Sequence, residues 1–171
     1  AQYNNGKITV EMGKPILETK VIPTIIDTKT NLIPSYLFKE FNFEQQGYAV
    51  GMGNPHLIFF LEDITQISLS SLGPIFENHK LFPEKTNVHF SQIINRDNIN
   101  VLVWERGAGA TLACGTGACA VHVAAYKLGL CNSKTTINLP GGNLMINWSK
   151  SEEEILMTGN AKKVFAGTHI L

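Results

Sequence analysis

Residue types that can carry chemistry are most concentrated around a cysteine that directly precedes a Gly-Thr-Gly segment. The acid-base pair Glu105-Arg106 leads into a glycine-rich stretch, and Cys114, Gly115 and Thr116 follow. The residues after Cys114 predict a helix, whose N-terminus offers unpaired backbone N–H groups and the positive end of the macrodipole. These features favour a thiolate at Cys114, and with the Thr116 hydroxyl they form a candidate cradle for a carboxylate or phosphate. The alternative is that Cys114 is a small core residue.

Glu105 and Arg106 end a predicted strand, so their side chains are expected to point to opposite faces. Glu105 could then face Cys114 as a proton partner. Arg106, at the mouth of the glycine loop, could clamp a carboxylate with two parallel hydrogen bonds. The alternative is a solvated pair of charges at a strand end.

A second cluster precedes an apolar strand and reads Gly-Met-Gly-Asn54-Pro-His56. The functional interpretation makes Asn54 an amide that binds substrate and His56 an acid-base group. The alternative is an ordinary turn, since Asn-Pro favours turn initiation. Asn87 taken alone would be a routine polar residue at the start of a strand.

The remaining cysteines and histidines show no pattern typical of a site. Cys119 and Cys131 have no setting like that of Cys114, and three clustered cysteines do not resemble a disulfide framework, so reduced thiols and a cytoplasmic location are expected. No metal site is predicted, because four histidines lack ligand spacing to the cysteines; these are His79, His89, His122 and His169. The Gly115-x-Gly117-x-x-Ala120 pattern lacks the acidic residue and β-α-β context of a dinucleotide site.

Composition fits one globular domain and excludes several classes of partner. The chain has 171 residues, 44% of them hydrophobic, with 14 basic and 14 acidic residues and no net charge. There is no basic excess for nucleic acid, and no apolar run reaches the roughly 18 residues of a membrane span. Charged residues are only 16%, which indicates either a covered surface or one rich in Asn, Ser and Thr.

The hydrophobic pattern predicts many short strands and one buried helix. An Asn5-Gly6 turn opens the chain, and the stretch 116–128 is apolar on nearly every side, as in a helix buried all round. A short helix is predicted at 70–78, with Pro74 tolerable only in its first turn. Strands are predicted at 7–12, 36–41, 48–52, 56–62, 88–94, 99–105, 135–139, 144–148, 154–158 and 164–170. The predicted fold is α+β, with a mainly antiparallel, barrel-like sheet wrapped around one central helix.

The motifs, in this order, resemble those of diaminopimelate epimerase over essentially the whole chain. The matching pieces are Met-Gly-Asn54-Pro-His56, Phe-Pro-Glu-x-x-Asn87-Val, Glu105-Arg106-Gly-Ala-Gly, Ala-Cys114-Gly-Thr-Gly-Ala-Cys-Ala and Leu139-Pro-Gly-Gly. The resemblance implies a cofactor-independent enzyme that needs no pyridoxal phosphate. It would interconvert LL- and meso-diaminopimelate for lysine and peptidoglycan synthesis. The implied fold has two similar halves with the substrate between them.

The resemblance also implies roles for particular residues. Cys114 would be one of two catalytic thiols, Glu105 the carboxylate that tunes it, and His56 the partner of the other cysteine across the cleft. The substrate's amino and carboxylate groups would be held by Asn54, Asn87, Glu105, Arg106, Gly115 and Thr116. A homodimer is suggested as well.

Two departures from the family pattern are visible. Ala110 replaces the usual Glu, and the first half, with the other cysteine, has no counterpart. We therefore expect residues 1–12 to belong to, or link from, a missing N-terminal domain, 13–160 to form the C-terminal epimerase domain, and 161–171 to form a final strand that returns to the missing domain. The isolated chain is expected to be inactive, because one thiol serves only one face of a carbon. Two alternatives remain: a non-catalytic amino-acid-binding module of the same fold, and a cysteine hydrolase.

Overall fold

The computed structural model describes residues 1–26, 33–148 and 154–168. These described residues contain two helices and eleven strands, and all eleven strands belong to one sheet. The strands are β1 (Gln2–Asn4), β2 (Lys7–Glu11), β3 (Ser35–Glu40), β4 (Phe43–Gly51), β5 (Pro55–Phe60), β6 (Asn87–Asn95), β7 (Asn98–Glu105), β8 (Gly109–Thr111), β9 (Lys134–Leu139), β10 (Gly142–Asn147) and β11 (Leu156–Asn160). The helices are α1 (Leu69–Glu77) and α2 (Gly115–Lys127).

The sheet is mixed, with antiparallel pairing at most positions. Its order is β1-β2-β11-β10-β9-β7-β6-β5-β4-β3, with β8 paired to β7 off this path. The pairs β5–β6 and β7–β9 are parallel. The predicted α+β class is confirmed. In the described part of the chain, however, β1 and β3 stand at opposite ends of the strand order, so the sheet is open rather than a closed barrel.

The first hairpin forms where the sequence predicts it. β1 and β2 are antiparallel, and Asn4 pairs with Lys7 across the turn. Asn5 and Gly6 both have positive φ, at 47° and 77°, as a turn that matches the twist of its strands requires. β2 continues into the main sheet by pairing with β11.

Helix α2 is the centre of one core, as its composition predicts. Its residues from Gly117 to Ala125 are all buried, and they pack against β4, β5, β6, β9 and β10. Small side chains permit this, because they let strands approach the helix closely on several sides. Within the described residues, no helix is long and apolar enough to cross a membrane.

The opposite face of β4–β7 carries a second core beneath α1. Its centre is aromatic, with Phe59 stacked on Phe90 at 5.5 Å and on edge to Phe38 at 5.3 Å. The predicted short helix is confirmed within one residue. Pro74 lies in its second turn, so the expectation that proline is tolerated only in the first turn is wrong here. The carbonyl that loses its partner belongs to Ser70, which is exposed, so water can bind it.

Most predicted strands are confirmed with shifted ends, and 135–148 is the predicted hairpin. β8 is missed from the sequence, because three residues flanked by glycine carry no alternation. The predicted strand 164–170 is wrong for residues 164–168, which adopt no strand; the rest of it lies outside the described residues. The division into domains stays a prediction.

Candidate functional site

Cys114 is the N-cap residue of α2. Its backbone is extended (φ −142°, ψ 111°), and its Sγ accepts the Gly117 N–H at 3.3 Å. The Thr116 hydroxyl lies 3.5 Å from the same sulfur. The thiol is therefore placed among the free donors of the first helical turn, as the sequence predicts.

The predicted lowering of the pKa at Cys114 is wrong for this chain. Burial, at an exposed fraction of 7%, raises the pKa of the Cys114 thiol. The hydrogen bonds from Thr116 and Gly117 act in the opposite direction, but the nearby Glu105 carboxylate raises the pKa further, both by its charge and by accepting a hydrogen bond from the thiol. Cys114 is thus held as a thiol, with a carboxylate beside it.

The turn between β7 and β8 orients Glu105 and Arg106. The Asn87 side chain accepts the Arg106 backbone N–H at 3.0 Å, and its amide nitrogen donates to the Pro55 carbonyl at 2.9 Å. The Arg106 guanidinium donates to the Glu84 carbonyl at 2.8 Å. Asn87 is buried and braces the turn against the start of β5, while Arg106 stays exposed.

A buried carboxylate from α1 holds the other side of this turn. Glu77 accepts the Trp104 indole N–H at 2.7 Å and the Gly107 backbone N–H at 3.0 Å. The Lys85 Nζ atom lies 3.9 Å from Glu77 Oε1. These bonds span 27 and 30 residues of sequence, and no local pattern signals them. Sequence reasoning therefore missed Glu77 as a support of the site.

The second predicted cluster forms a buried imidazole pair. His56 Nδ1 lies 2.8 Å from His89 Nε2, and His56 Nε2 lies 2.8 Å from Asn54 Oδ1. Both rings are fully buried. Burial lowers the pKa of His56 well below its usual value, with smaller contributions from His89 and Arg106, and burial lowers the pKa of His89 to about 3. Both imidazoles are therefore neutral at physiological pH.

An open cavity of about 440 Å³ lies beside this second cluster. Asn54, Arg106, Glu84 and the exposed Lys20 line it, together with apolar residues of the segment 16–23. Cys114 does not line it. The described residues thus form two groups. The first is Cys114 with Glu105, Gly115 and Thr116. The second, the cavity group, has Asn54 and Arg106 lining the cavity and His56 and Asn87 hydrogen-bonded to them. The Glu105-Arg106 peptide joins them.

The described residues contain no cluster of three or more His, Cys, Asp or Glu side chains that could hold a metal ion. All three cysteines are free thiols and are buried. Cys119 is part of the core around α2, and burial raises its pKa to about 12. Cys131 contacts His122 at 3.9 Å, away from both groups.

The fold of this chain, an open sheet around a buried helix, also occurs in solved structures of an amino-acid epimerase and a probable racemase. The chain matches a hydroxyproline epimerase from Agrobacterium vitis with a TM-score of 0.59 and 11% identity, over 91% of this chain and 50% of that one. It matches a probable proline racemase from Agrobacterium radiobacter with a TM-score of 0.58 and 13% identity, over 91% and 51%. At these identities the likeness is one of fold.

Sequence comparison identifies the family. The chain belongs to the diaminopimelate epimerase family, whose model matches residues 48–164. Diaminopimelate epimerase from Microcystis aeruginosa is 44% identical over 165 residues, covering 96% of this chain and 59% of the relative. The enzyme from Halothermothrix orenii is 44% identical over 171 residues, covering 99% and 60%. The chain thus spans about three fifths of the length of these relatives.

Proposed function

We propose that this chain is the C-terminal part of a diaminopimelate epimerase and supplies one of the two thiols that invert an α-carbon. Family membership supports the reaction, and the chain spans 59% of the length of the Microcystis aeruginosa relative. The observation that carries the proposal is Cys114 at the N-terminus of α2 with the Glu105 carboxylate beside it.

Inversion needs a group on each face of the carbon, one that removes a proton and one that delivers a proton. The raised pKa keeps Cys114 protonated at neutral pH, which is the form that delivers a proton to a carbanion. In the reverse direction the Cys114 thiolate is the base, and a thiolate of high pKa is a strong one. The other thiol serves the opposite face, so this chain alone completes only half of the exchange.

The N-terminus of α2 is assigned to bind the substrate carboxylate that is attached to the reacting carbon. The backbone N–H groups of Gly115 and Thr116 are at the start of α2, and both residues are partly exposed. Fixed donors at this position stabilise the negative charge that develops as the α-proton leaves. No cofactor is needed in this scheme, because the substrate carboxylate, bound at the helix end, takes up the negative charge and the two thiols transfer the proton.

The remote end of the substrate is assigned to Asn54, Arg106 and Glu105, with Asn87 as their support, and His56 is assigned to the face of the reacting carbon opposite Cys114. Asn54 and Arg106 line the cavity and offer an amide and a cation for a carboxylate. Glu105 offers a carboxylate for an ammonium group. Asn87 acts through its two hydrogen bonds, which fix the Arg106 backbone. In this proposal the other thiol would replace Asn54 Oδ1 as the partner of His56 Nε2.

The test is isotope exchange at the α-carbon of LL-diaminopimelate in D₂O, followed by mass spectrometry and NMR. We expect no exchange with this chain alone. Exchange and formation of the meso isomer are expected when the first half of the Microcystis aeruginosa relative is co-expressed with it. Robust exchange by the isolated chain would contradict the proposed division of labour.

A second function is favoured by one observation: the cavity lined by Asn54 and Arg106 is open, whereas Cys114 is 7% exposed. A non-catalytic amino-acid-binding module would show saturable binding of diaminopimelate but no exchange, even with a first half present. Covalent acylation of Cys114 by an ester substrate would instead indicate a cysteine hydrolase.

We further propose a cytoplasmic location and a homodimer. Three free cysteines fit a reducing compartment. The dimer follows from the family resemblance, and light scattering of the purified protein tests it.

A further inference from the structure

His89 takes no part in the proposed chemistry, yet it lies directly behind His56. It is on β6, in parallel register with β5, and is fully buried. Its Nε2 lies 2.8 Å from His56 Nδ1, and the ring centroids are 5.0 Å apart. His89 Nδ1 has no hydrogen-bond partner among the described residues.

The partners fix which nitrogen of each ring carries hydrogen. Asn54 Oδ1, which only accepts, lies 2.8 Å from His56 Nε2, so that nitrogen carries the proton. A neutral His56 then has a bare Nδ1, which accepts from His89 Nε2–H. A neutral His89 is then left with an unprotonated Nδ1, so the buried atom that lacks a partner is a hydrogen-bond acceptor and not a donor.

The opposite tautomers are less favourable. They would set the bare Nε2 of His56 against the Asn54 carbonyl oxygen and leave a buried N–H on His89 Nδ1 without an acceptor. Buried orphan N–H groups are rarer in proteins than under-satisfied acceptors. A doubly protonated ring is disfavoured by burial, by the other imidazole, by Arg106 and by the nearby start of α2.

Helix α2 fixes the position of the His89 ring. The Cε1 edge of the ring packs against Gly117 so closely that a Cβ at Gly117 would overlap it. Gly117 is also the residue whose N–H binds Cys114 Sγ. His89 is therefore wedged between His56 and the helical turn that carries the thiol.

We propose that His89 is a positioning residue that locks His56 in the Nε2–H tautomer, so that His56 faces the site as a hydrogen-bond donor and not as a proton acceptor. Its meaning for catalysis rests on the proposed function, in which His56 would donate this N–H to the second thiolate and stabilise it. No proton leaves His56 in that interaction. The tautomer itself is a property of this chain and is measurable without turnover.

The test is long-range ¹H–¹⁵N NMR of the chain labelled in its histidines. We expect both His56 and His89 to show hydrogen on Nε2 and a bare Nδ1, with no titration between about pH 5 and pH 8. His89→Gln keeps an amide donor and should preserve the His56 pattern. His89→Leu removes the donor, and His56 should lose the pure Nε2–H pattern. His122→Leu, a buried histidine outside the site, is the matched control and should leave His56 unchanged.

Hydrogen on His56 Nδ1 in the unmodified chain, or an unchanged His56 pattern in His89→Leu, would overturn the proposal. If His89→Leu does not fold, the unmodified chain and His89→Gln still decide it. Supplying a first half adds an activity readout: the pH profile of kcat/KM should gain an ionisation in His89→Leu and not in His89→Gln. Loss of all exchange with an intact tautomer pattern would count against the proposed function alone.

Discussion

The Cys114 side of the candidate site and the His56 side are built by different means. Cys114 receives its hydrogen bonds from its own helix, within three residues of sequence. His56 is held by side chains alone, one of them 33 residues away on a parallel strand. Burial raises the pKa of the first group and lowers that of the second.

Both shifts keep the groups uncharged, and this is the common result of two different constructions. A neutral thiol and a neutral imidazole are stable in a water-poor site before substrate arrives. The two constructions differ in what they depend on. The hydrogen bonds of the helix cap depend on neighbouring residues, whereas the imidazole pair depends on the register of β5 and β6. The contact of His89 with Gly117 joins the two sides.

The largest effect should come from removing the sulfur of Cys114. With a first half supplied, Cys114→Ala should lower α-proton exchange by about 10³-fold, because no group then serves that face of the carbon. Cys119→Ala, in the core of the same helix, is the control and should retain exchange in proportion to folded protein. Equal losses of exchange in the two variants would mean that the Cys114 sulfur supports the fold and not the proton transfer.

Acid should destabilise the His56 side of the site. The unfolded state takes up protons below about pH 6.5, whereas folded His89 stays neutral down to about pH 3, so stability falls as the pH drops between these values. The expected loss from His89 is about 2 kcal/mol at pH 5. Chemical denaturation at several pH values measures it, and His89→Gln should show a shallower dependence. An unchanged slope in that variant would contradict the buried neutral ring.

The contact between the two sides can be tested in the first turn of α2. Gly117→Ala should destabilise the protein by about 2 kcal/mol, because the new Cβ overlaps the His89 ring in a packed core. Gly115→Ala is the matched control, because its Cβ meets only the flexible ends of two methionines, Met157 at 3.2 Å and Met12 at 3.9 Å. Thermal unfolding of both variants gives the comparison, and equal stability would show that His89 has room to move.

The sequence predicts those features of the site that depend on neighbouring residues, and it misses those that depend on residues far apart in the chain. The position of Cys114 at a helix end is predicted because the cysteine, the glycines and the small apolar run are contiguous. The hairpin at Asn5-Gly6 is predicted for the same local reason. The roles of His89 and Glu77 are not predicted, because parallel strand pairing and a buried carboxylate 27 residues from its partner leave no short-range pattern. The pKa of Cys114 is missed because burial, which local sequence does not report, outweighs the helix end.

The smallest effect concerns the charge beside the thiol. Because Glu105 raises the pKa of Cys114, Glu105→Gln should increase the thiolate fraction and speed alkylation of Cys114 severalfold below pH 8. Glu44→Gln, which removes a surface partner of Lys39, should leave the rate unchanged. Peptide mapping separates the three cysteines, and Cys119, fully buried and with a pKa of about 12, should react slowest. Slower alkylation of Cys114 in Glu105→Gln would mean that the carboxylate assists ionisation of the thiol, and the Cys114 side would then operate as a thiolate base from the start.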